Sequence, residues 1–287
     1  LVEETREEFS NKKERNKMAN PLRLVMIRHG QSEANIVQHA QKLGQKIDLE
    51  KKVETRADWR QRLSPKGREQ AEKAKEELSK IYGSLDFFDS KYTSPFIRAR
   101  ETAAILSGEN RHFWKIDDLL SERNWGIFGR VDMNERVDNF SITMRYLYND
   151  PFFMRLDGGE SIFDVYLRFR SFCERLKREE SNQNVLIVSH KQLIQSACYL
   201  IEGFLPEHWN DNRIRDIYDV PNLGAIEYSR INPMNASDVR ENFAWRRVLN
   251  LGEADGKYGD WEEFDIRRDF SNDELLTQVS ENKPFLK

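Results

Sequence analysis

Two unbroken apolar runs, Leu24 to Ile27 and Val185 to Val188, stand out in a largely polar chain. Four consecutive apolar residues, most of them branched, predict a strand buried on both faces, as inside a parallel sheet. The first run ends in Arg28-His29-Gly30 and the second in Ser189-His190-Lys191, each followed by a helix-favouring segment. A third strand is predicted from Phe87 to Thr93, leading into Ser94-Pro95-Phe96-Ile97-Arg98-Ala99. A strand tip thus carries a histidine twice, and the third junction carries an arginine.

Helices are predicted between these strands. Glu33 to Leu43 should form the first, stopped by Gly44. The next is capped by Ser64 and opened by Pro65, with Ala71, Ala74, Leu78 and Ile81 at helical spacing. Others are expected over residues 135–148, over 161–179 after a Gly158-Gly159-Glu160-Ser161 turn, and over 192–202. Phe243 to Leu251 reads as a late strand at a sheet edge. Strands alternating with helices give an α/β fold, a three-layer α/β/α sandwich with a mostly parallel central sheet. Ligands bind such sheets beyond the carboxyl ends of the strands, where helix amides and a flanking arginine attract anions.

Composition adds polar extensions to this picture. With 38% hydrophobic and 33% charged residues, the 287-residue chain fits one principal domain, residues 21–251. A charged arm, residues 1–20, precedes it, and an acidic extension, residues 252–287, follows. The spaced aromatics of that extension are expected to pack on their own domain. A net charge of -3 argues against general nucleic-acid affinity. No apolar run approaches the roughly 20 residues of a membrane helix, and the amino terminus lacks a signal-peptide core. The expected setting is the cytoplasm, with no membrane partner and with Cys173 and Cys198 as buried thiols. No group of histidines and carboxylates has ligand spacing, so neither metal nor cofactor is expected.

Two further stretches bear on chemistry. Residues 42–62 hold seven basic side chains (Lys42, Lys46, Lys51, Lys52, Arg56, Arg60, Arg62) against four acidic ones (Asp48, Glu50, Glu54, Asp58). They read either as a solvated loop or as a lid whose arginines reach an anionic substrate. Glu122, ahead of Trp125-Gly126-Ile127-Phe128-Gly129, is either an ion-paired neighbour of Arg123 or a half-buried acid raised in pKa by desolvation.

In order and phrasing these elements resemble the histidine phosphatase superfamily, in its branch similar to cofactor-dependent phosphoglycerate mutase. The resemblance is carried by Arg28-His29-Gly30-Gln31-Ser32-Glu33-Ala34-Asn35, Leu63-Ser64-Pro65-Lys66-Gly67, Ser94 to Ala99 with Thr102-Ala103, Leu120-Ser121-Glu122-Arg123, Gly158 to Ser161, Ile187-Val188-Ser189-His190, and Asn222 to Ile226. It covers roughly residues 22–230 and implies a phosphohistidine mechanism. His29 would be the nucleophile, and Arg28, Arg98, His190 and Asn35 would hold the phosphoryl oxygens. Glu122 would be general acid and then general base. Gln31, Ser32, Arg56, Arg60, Arg62 and Lys191 are candidates for substrate contact, and the partner is a small phosphorylated molecule.

The chain departs from the family pattern in places. Lys191 stands where the family often has glycine, and it either turns into the phosphate pocket or lies exposed. Residues 36–62 lack the aromatic substrate-binding turn of the mutases, and where that family has an arginine pair before the Gly-Gly-Glu-Ser turn only isolated Arg145 and Arg155 precede Gly158. These departures tilt the expectation towards a metal-independent phosphomonoesterase. A phosphoglycerate mutase and an idle phospho-ligand-binding member are the alternatives.

Overall fold

A computed structural model describes residues 19–129, 138–210, 217–252, 257–266, 269–281 and 284–285. Most of the charged arm, residues 130–137 and parts of the acidic extension lie outside the described residues. The strands are β1 (Arg23–Arg28), β2 (Ser90–Thr93), β3 (Lys115–Ile116), β4 (Asn184–Ser189), β5 (Gly224–Ser229), β6 (Ile231–Asn232), β7 (Asn235–Val239), β8 (Trp245–Asn250), β9 (Lys257–Tyr258) and β10 (Glu262–Glu263). The helices are α1 (Glu33–Lys42), α2 (Leu49–Glu54), α3 (Pro65–Tyr82), α4 (Ile97–Ser107), α5 (Ser141–Asn149), α6 (Ile162–Glu179), α7 (Lys191–Glu202) and α8 (Asn272–Glu281).

The sheet runs β10-β8-β5-β1-β4-β2-β3, with β9 also on β8. Strands β1, β4, β2 and β3 are mutually parallel. The β5 and β8 half is antiparallel. Apolar residues alternate between the two faces of the parallel strands. Leu24, Met26, Val185 and Ile187 join Phe169, Phe172 and Leu176 of α6 and Leu193 and Ala197 of α7 in one core. Val25, Ile27, Leu186 and Val188 meet Ala74 and Leu78 of α3 and Ala99 and Ala103 of α4 in the other. Burial on both faces is why these strands read as continuous apolar runs. Each large side chain so buried contributes roughly 1.5–3 kcal/mol.

Several expectations are corrected at their boundaries. The second strand begins at Ser90, because Leu85–Phe87 forms a 3₁₀ turn that Ser84 caps through the Asp86 amide. Residues 42–62 contain α2 and a 3₁₀ turn, Asp58–Arg60, rather than loop alone. The helix expected over 135–148 is α5, Ser141–Asn149, shifted towards the carboxyl end. β8 is covered at its outer side by β9 and β10 and is not the edge. The extension thereby continues the sheet. Trp261 lies against Arg23 and Arg247, and Phe264 packs on Tyr228, whereas Phe285 is exposed.

Register brings the three parallel strand tips level. Arg28 pairs with Ser189, and Thr93 with Val188. Beyond them the His29 amide donates to the Ser189 carbonyl at 2.9 Å, and the Ser94 amide to the Val188 carbonyl at 3.0 Å. The first turn of α3 presses so close that a Cβ on Gly30 would lie 2.5 Å from the Gly67 carbonyl oxygen. Only a residue without a side chain fits there, and it fixes the path of the chain just after His29.

Candidate active site

His29 and His190 meet at this sheet edge. Their ring centroids are 5.0 Å apart at 65°, and both side chains are almost fully buried. His29 Nδ1 lies 2.7 Å from the Gly30 carbonyl oxygen, which can only accept, so Nδ1 carries the proton. Nε2 then holds a lone pair, and it accepts from Arg98 Nε at 3.1 Å. Burial, Arg98 and Arg28 hold the His29 pKa well below 6.5, with the Gly30 bond opposing them. The ring is therefore neutral at physiological pH.

His190 is oriented by a residue that the sequence reading did not single out as functional. Ser94 Oγ lies 2.7 Å from His190 Nε2 and accepts from the Phe96 amide at 3.2 Å. A hydroxyl that donates to Nε2 leaves the proton on Nδ1, which is buried and has no hydrogen-bond partner among the described residues. Such an orphaned donor suits an incoming anion. Desolvation, then the charges of Arg98 and its neighbours, also keeps His190 neutral. Phe96 braces both groups, with its ring 5.0 Å from that of His190 and 4.9 Å from the Arg98 guanidinium carbon.

The two arginines frame the histidines. Arg98 is buried and Arg28 half-buried. Arg28 Nη1 donates to the Val220 carbonyl at 2.9 Å, and its Nε is buried without a partner among the described residues. Glu122 is coupled electrostatically to both arginines, which lower its pKa, and so does the Arg123 amide, which donates to Glu122 Oε1 at 2.9 Å. Burial outweighs these effects and leaves the Glu122 pKa raised. Arg123 donates instead to the Glu160 carbonyl and lies over Trp125, so the ion-paired alternative for Glu122 does not form. The Glu122 segment is tied to the site by Ser189, whose hydroxyl donates to the Leu120 carbonyl at 2.8 Å.

Other predicted residues take supporting places. Ser32 caps α1, accepting from the Asn35 amide, while Asn35 Oδ1 accepts from the Ser32 amide at 3.1 Å and from Asn222 Nδ2 at 3.2 Å. Asn222 also donates to the His29 carbonyl at 2.9 Å, a link legible only once β5 is seen beside β1. Thr102 likewise accepts from the Gly30 amide and donates to the Arg98 carbonyl. The Gln31 side chain accepts from Ser64 at 2.8 Å and ties α1 to α3.

Of the two readings of residues 42–62, the lid would need its arginines over the site, and here they are engaged elsewhere. Arg56 pairs with Glu33, Arg62 with Glu101, and Arg60 lies over Trp59. Lys191 is half-buried and pairs with Asp219, an exposed carboxylate whose charge also acts on Arg28. The insertion brings a carboxylate to the site instead. Arg98 Nη1 donates to Asp58 Oδ1 at 3.1 Å and Nη2 to Oδ2 at 3.2 Å. Among the described residues no group of three or more His, Cys, Asp or Glu could hold a metal ion, and no helix is long and apolar enough to cross a membrane.

The family model described as histidine phosphatase superfamily (branch 1) matches residues 24–221. Phosphoserine phosphatase 1 of Hydrogenobacter thermophilus is 28% identical over 191 residues, covering 66% of this chain and 81% of its own. A 2,3-bisphosphoglycerate-dependent phosphoglycerate mutase of Methylobacterium radiotolerans is 26% identical over 200 residues, covering 67% and 84%. The crystal structure of the α-ribazole phosphatase from Shigella flexneri superposes with a TM-score of 0.58 at 21% identity, covering 77% of this chain and 95% of that one. That likeness shows the fold.

Proposed function

The chain belongs to the histidine phosphatase superfamily (branch 1), and on that footing we propose that it is a metal-independent phosphomonoesterase that forms a phosphohistidine on His29. The state of His29 carries this reading: a neutral ring with its proton fixed on Nδ1 presents an Nε2 lone pair beside two guanidinium groups. Neutral imidazole attacks phosphorus, Nε2–P forms, the ester P–O bond breaks, and the leaving oxygen takes the proton of Glu122. Water then attacks the phosphohistidine, gives a proton to the Glu122 carboxylate, and Nε2–P breaks.

Most of catalysis in phosphoryl transfer is electrostatic stabilisation of the transferring group. Arg28, Arg98 and the Nδ1 proton of His190 supply it, and the Asn35 NH₂ group, whose nearest partner is Gln38 at 3.5 Å, adds a neutral donor. Small phosphorylated metabolites are the substrate class; the names of the phosphoserine and phosphoglycerate enzymes reported above support it. Two free thiols, Cys173 and Cys198, support a cytoplasmic setting.

The mutase relative favours a second reading, phosphoglycerate mutase. Against it, Arg155 is engaged by Asp164 at 2.9 Å and Arg145 lies over Tyr146, so neither replaces the arginine pair of that family. Both readings are tested by incubating the protein, in excess chelator, with para-nitrophenyl phosphate and separately with each monophosphoglycerate plus a catalytic amount of 2,3-bisphosphoglycerate to phosphorylate His29. Phosphate release well above interconversion of the two monophosphoglycerates is expected. Interconversion above release would make the chain a mutase, and no turnover would end both readings.

A further inference from the structure

Asp58 engages Arg98 in a way that the phosphatase reading alone does not explain. Both carboxylate oxygens face the two Nη nitrogens, and the Asp58 carbonyl accepts from Nη1 at 2.8 Å. Two oxygens on one guanidinium fork is also how arginine holds a phosphoryl group. The carboxylate stands where substrate oxygens would bind.

The partners differ in burial. The Arg98 side chain is 6% exposed and that of Asp58 is 58% exposed, so a fixed cation is met by an anion on a surface turn. Neither α2 nor the Asp58–Arg60 turn contains a buried residue. The Gln61 side chain, donating to the Val53 and Arg56 carbonyls, holds α2 to the turn, and the polar contacts Gln41–Glu50 and Arg56–Glu33 tie the pair to α1. Elements that bury so little apolar surface open at low free-energy cost.

We propose that Asp58 is a specificity-determining residue whose carboxylate fills the anion subsite on Arg98 until a substrate phosphoryl group displaces it. The inference rests on the phosphatase reading of the same site. A ligand that is only phosphate must displace the carboxylate with phosphoryl contacts alone. An ester has its organic part as well, which can meet Trp59 and Arg60 on the displaced turn. Asp58 therefore weakens inhibition by the product, inorganic phosphate, relative to substrate binding. The Arg98 bond to His29 Nε2 must be released in the same movement, because in-line attack needs that lone pair. No covalent bond is made or broken in this exchange.

The test is calorimetric titration of inorganic phosphate into the full chain and into Asp58→Asn and Asp58→Glu, which needs no turnover, with kcat and KM for para-nitrophenyl phosphate measured alongside. Removing one opposing charge at contact distance is expected to tighten phosphate binding about tenfold, the size of one pKa unit. KM should fall by a clearly smaller factor, about threefold or less, with kcat within about threefold, and Asp58→Glu should resemble the native chain; a KM that falls as far as the phosphate Kd would overturn the specificity role. Binding seen only in Asp58→Asn would support the proposal equally. Phosphate affinity unchanged, weakened or absent in Asp58→Asn, or a large fall in kcat, would overturn it and make Asp58 a clamp that positions Arg98. Failure of the phosphatase reading looks different: phosphate binds and no ester is turned over by the native chain.

Discussion

Replacement of His29 by alanine is expected to lower kcat for phosphate release by about five orders of magnitude or more, the loss seen when a covalent nucleophile is removed. Affinity for inorganic phosphate should change far less, because Arg28, Arg98 and His190 remain. The size of the effect follows from how fully the site is built around one atom. The Gly30 carbonyl fixes the proton on Nδ1, and burial with two adjacent cations keeps Nε2 unprotonated. No other described side chain combines these features: His190 Nε2 already holds Ser94, and burial raises the Cys173 and Cys198 thiols to about 12 or beyond, far from any thiolate. Steady-state kinetics with para-nitrophenyl phosphate, set beside phosphate titration of the same variant, separates loss of chemistry from loss of fold.

Glu122→Gln is expected to cost two to four orders of magnitude in kcat for alkyl phosphates, the usual worth of general acid catalysis. In kcat/KM, which ends at phosphoryl transfer and excludes the water step where Glu122 is base, the cost should be much smaller for para-nitrophenyl phosphate, whose leaving group departs without a proton. The pH profile gives a second readout. Burial raises the Glu122 pKa above 4.5, so its acid form persists to higher pH than an ordinary carboxyl, and activity falls as pH rises through that raised value. His29 has its pKa pushed well below 6.5, so the acidic limb, where the ring protonates and loses its lone pair, lies at lower pH than an ordinary histidine would set. Glu122→Gln should abolish the alkaline limb and leave the acidic one. An unchanged alkaline limb would assign proton donation to another group.

The strand tips were legible because parallel strands buried on both faces leave apolar runs, and ligands gather where such runs end. His29, His190, Arg28 and Arg98 could be placed at one edge without coordinates. Capping was legible too: Ser64 caps α3 and Pro65 opens it where local sequence puts them. Partners set by tertiary register were not legible. Ser94 meets His190 only because β2 lies beside β4 in the register Thr93–Val188, a relation with no local signature. Asp58 was one of four acids in a stretch with more basic residues, and charge counting favoured its arginines. Arg56 and Arg62 found nearer acids, Glu33 at the start of α1 and Glu101 within α4, Arg60 stacked on Trp59, and the carboxylate was left to face Arg98. Lys191 was captured in the same way by Asp219, whose position depends on the chain before β5.

The most direct test of the central claim is to trap the covalent intermediate. The protein is mixed with a phosphate ester labelled in its phosphoryl group, quenched in alkali within a turnover, digested and read by mass spectrometry. An alkali-stable, acid-labile phosphoryl group on His29, formed and lost at rates that match turnover, is predicted. Turnover with no label on His29, or with the label on another residue, would contradict the account.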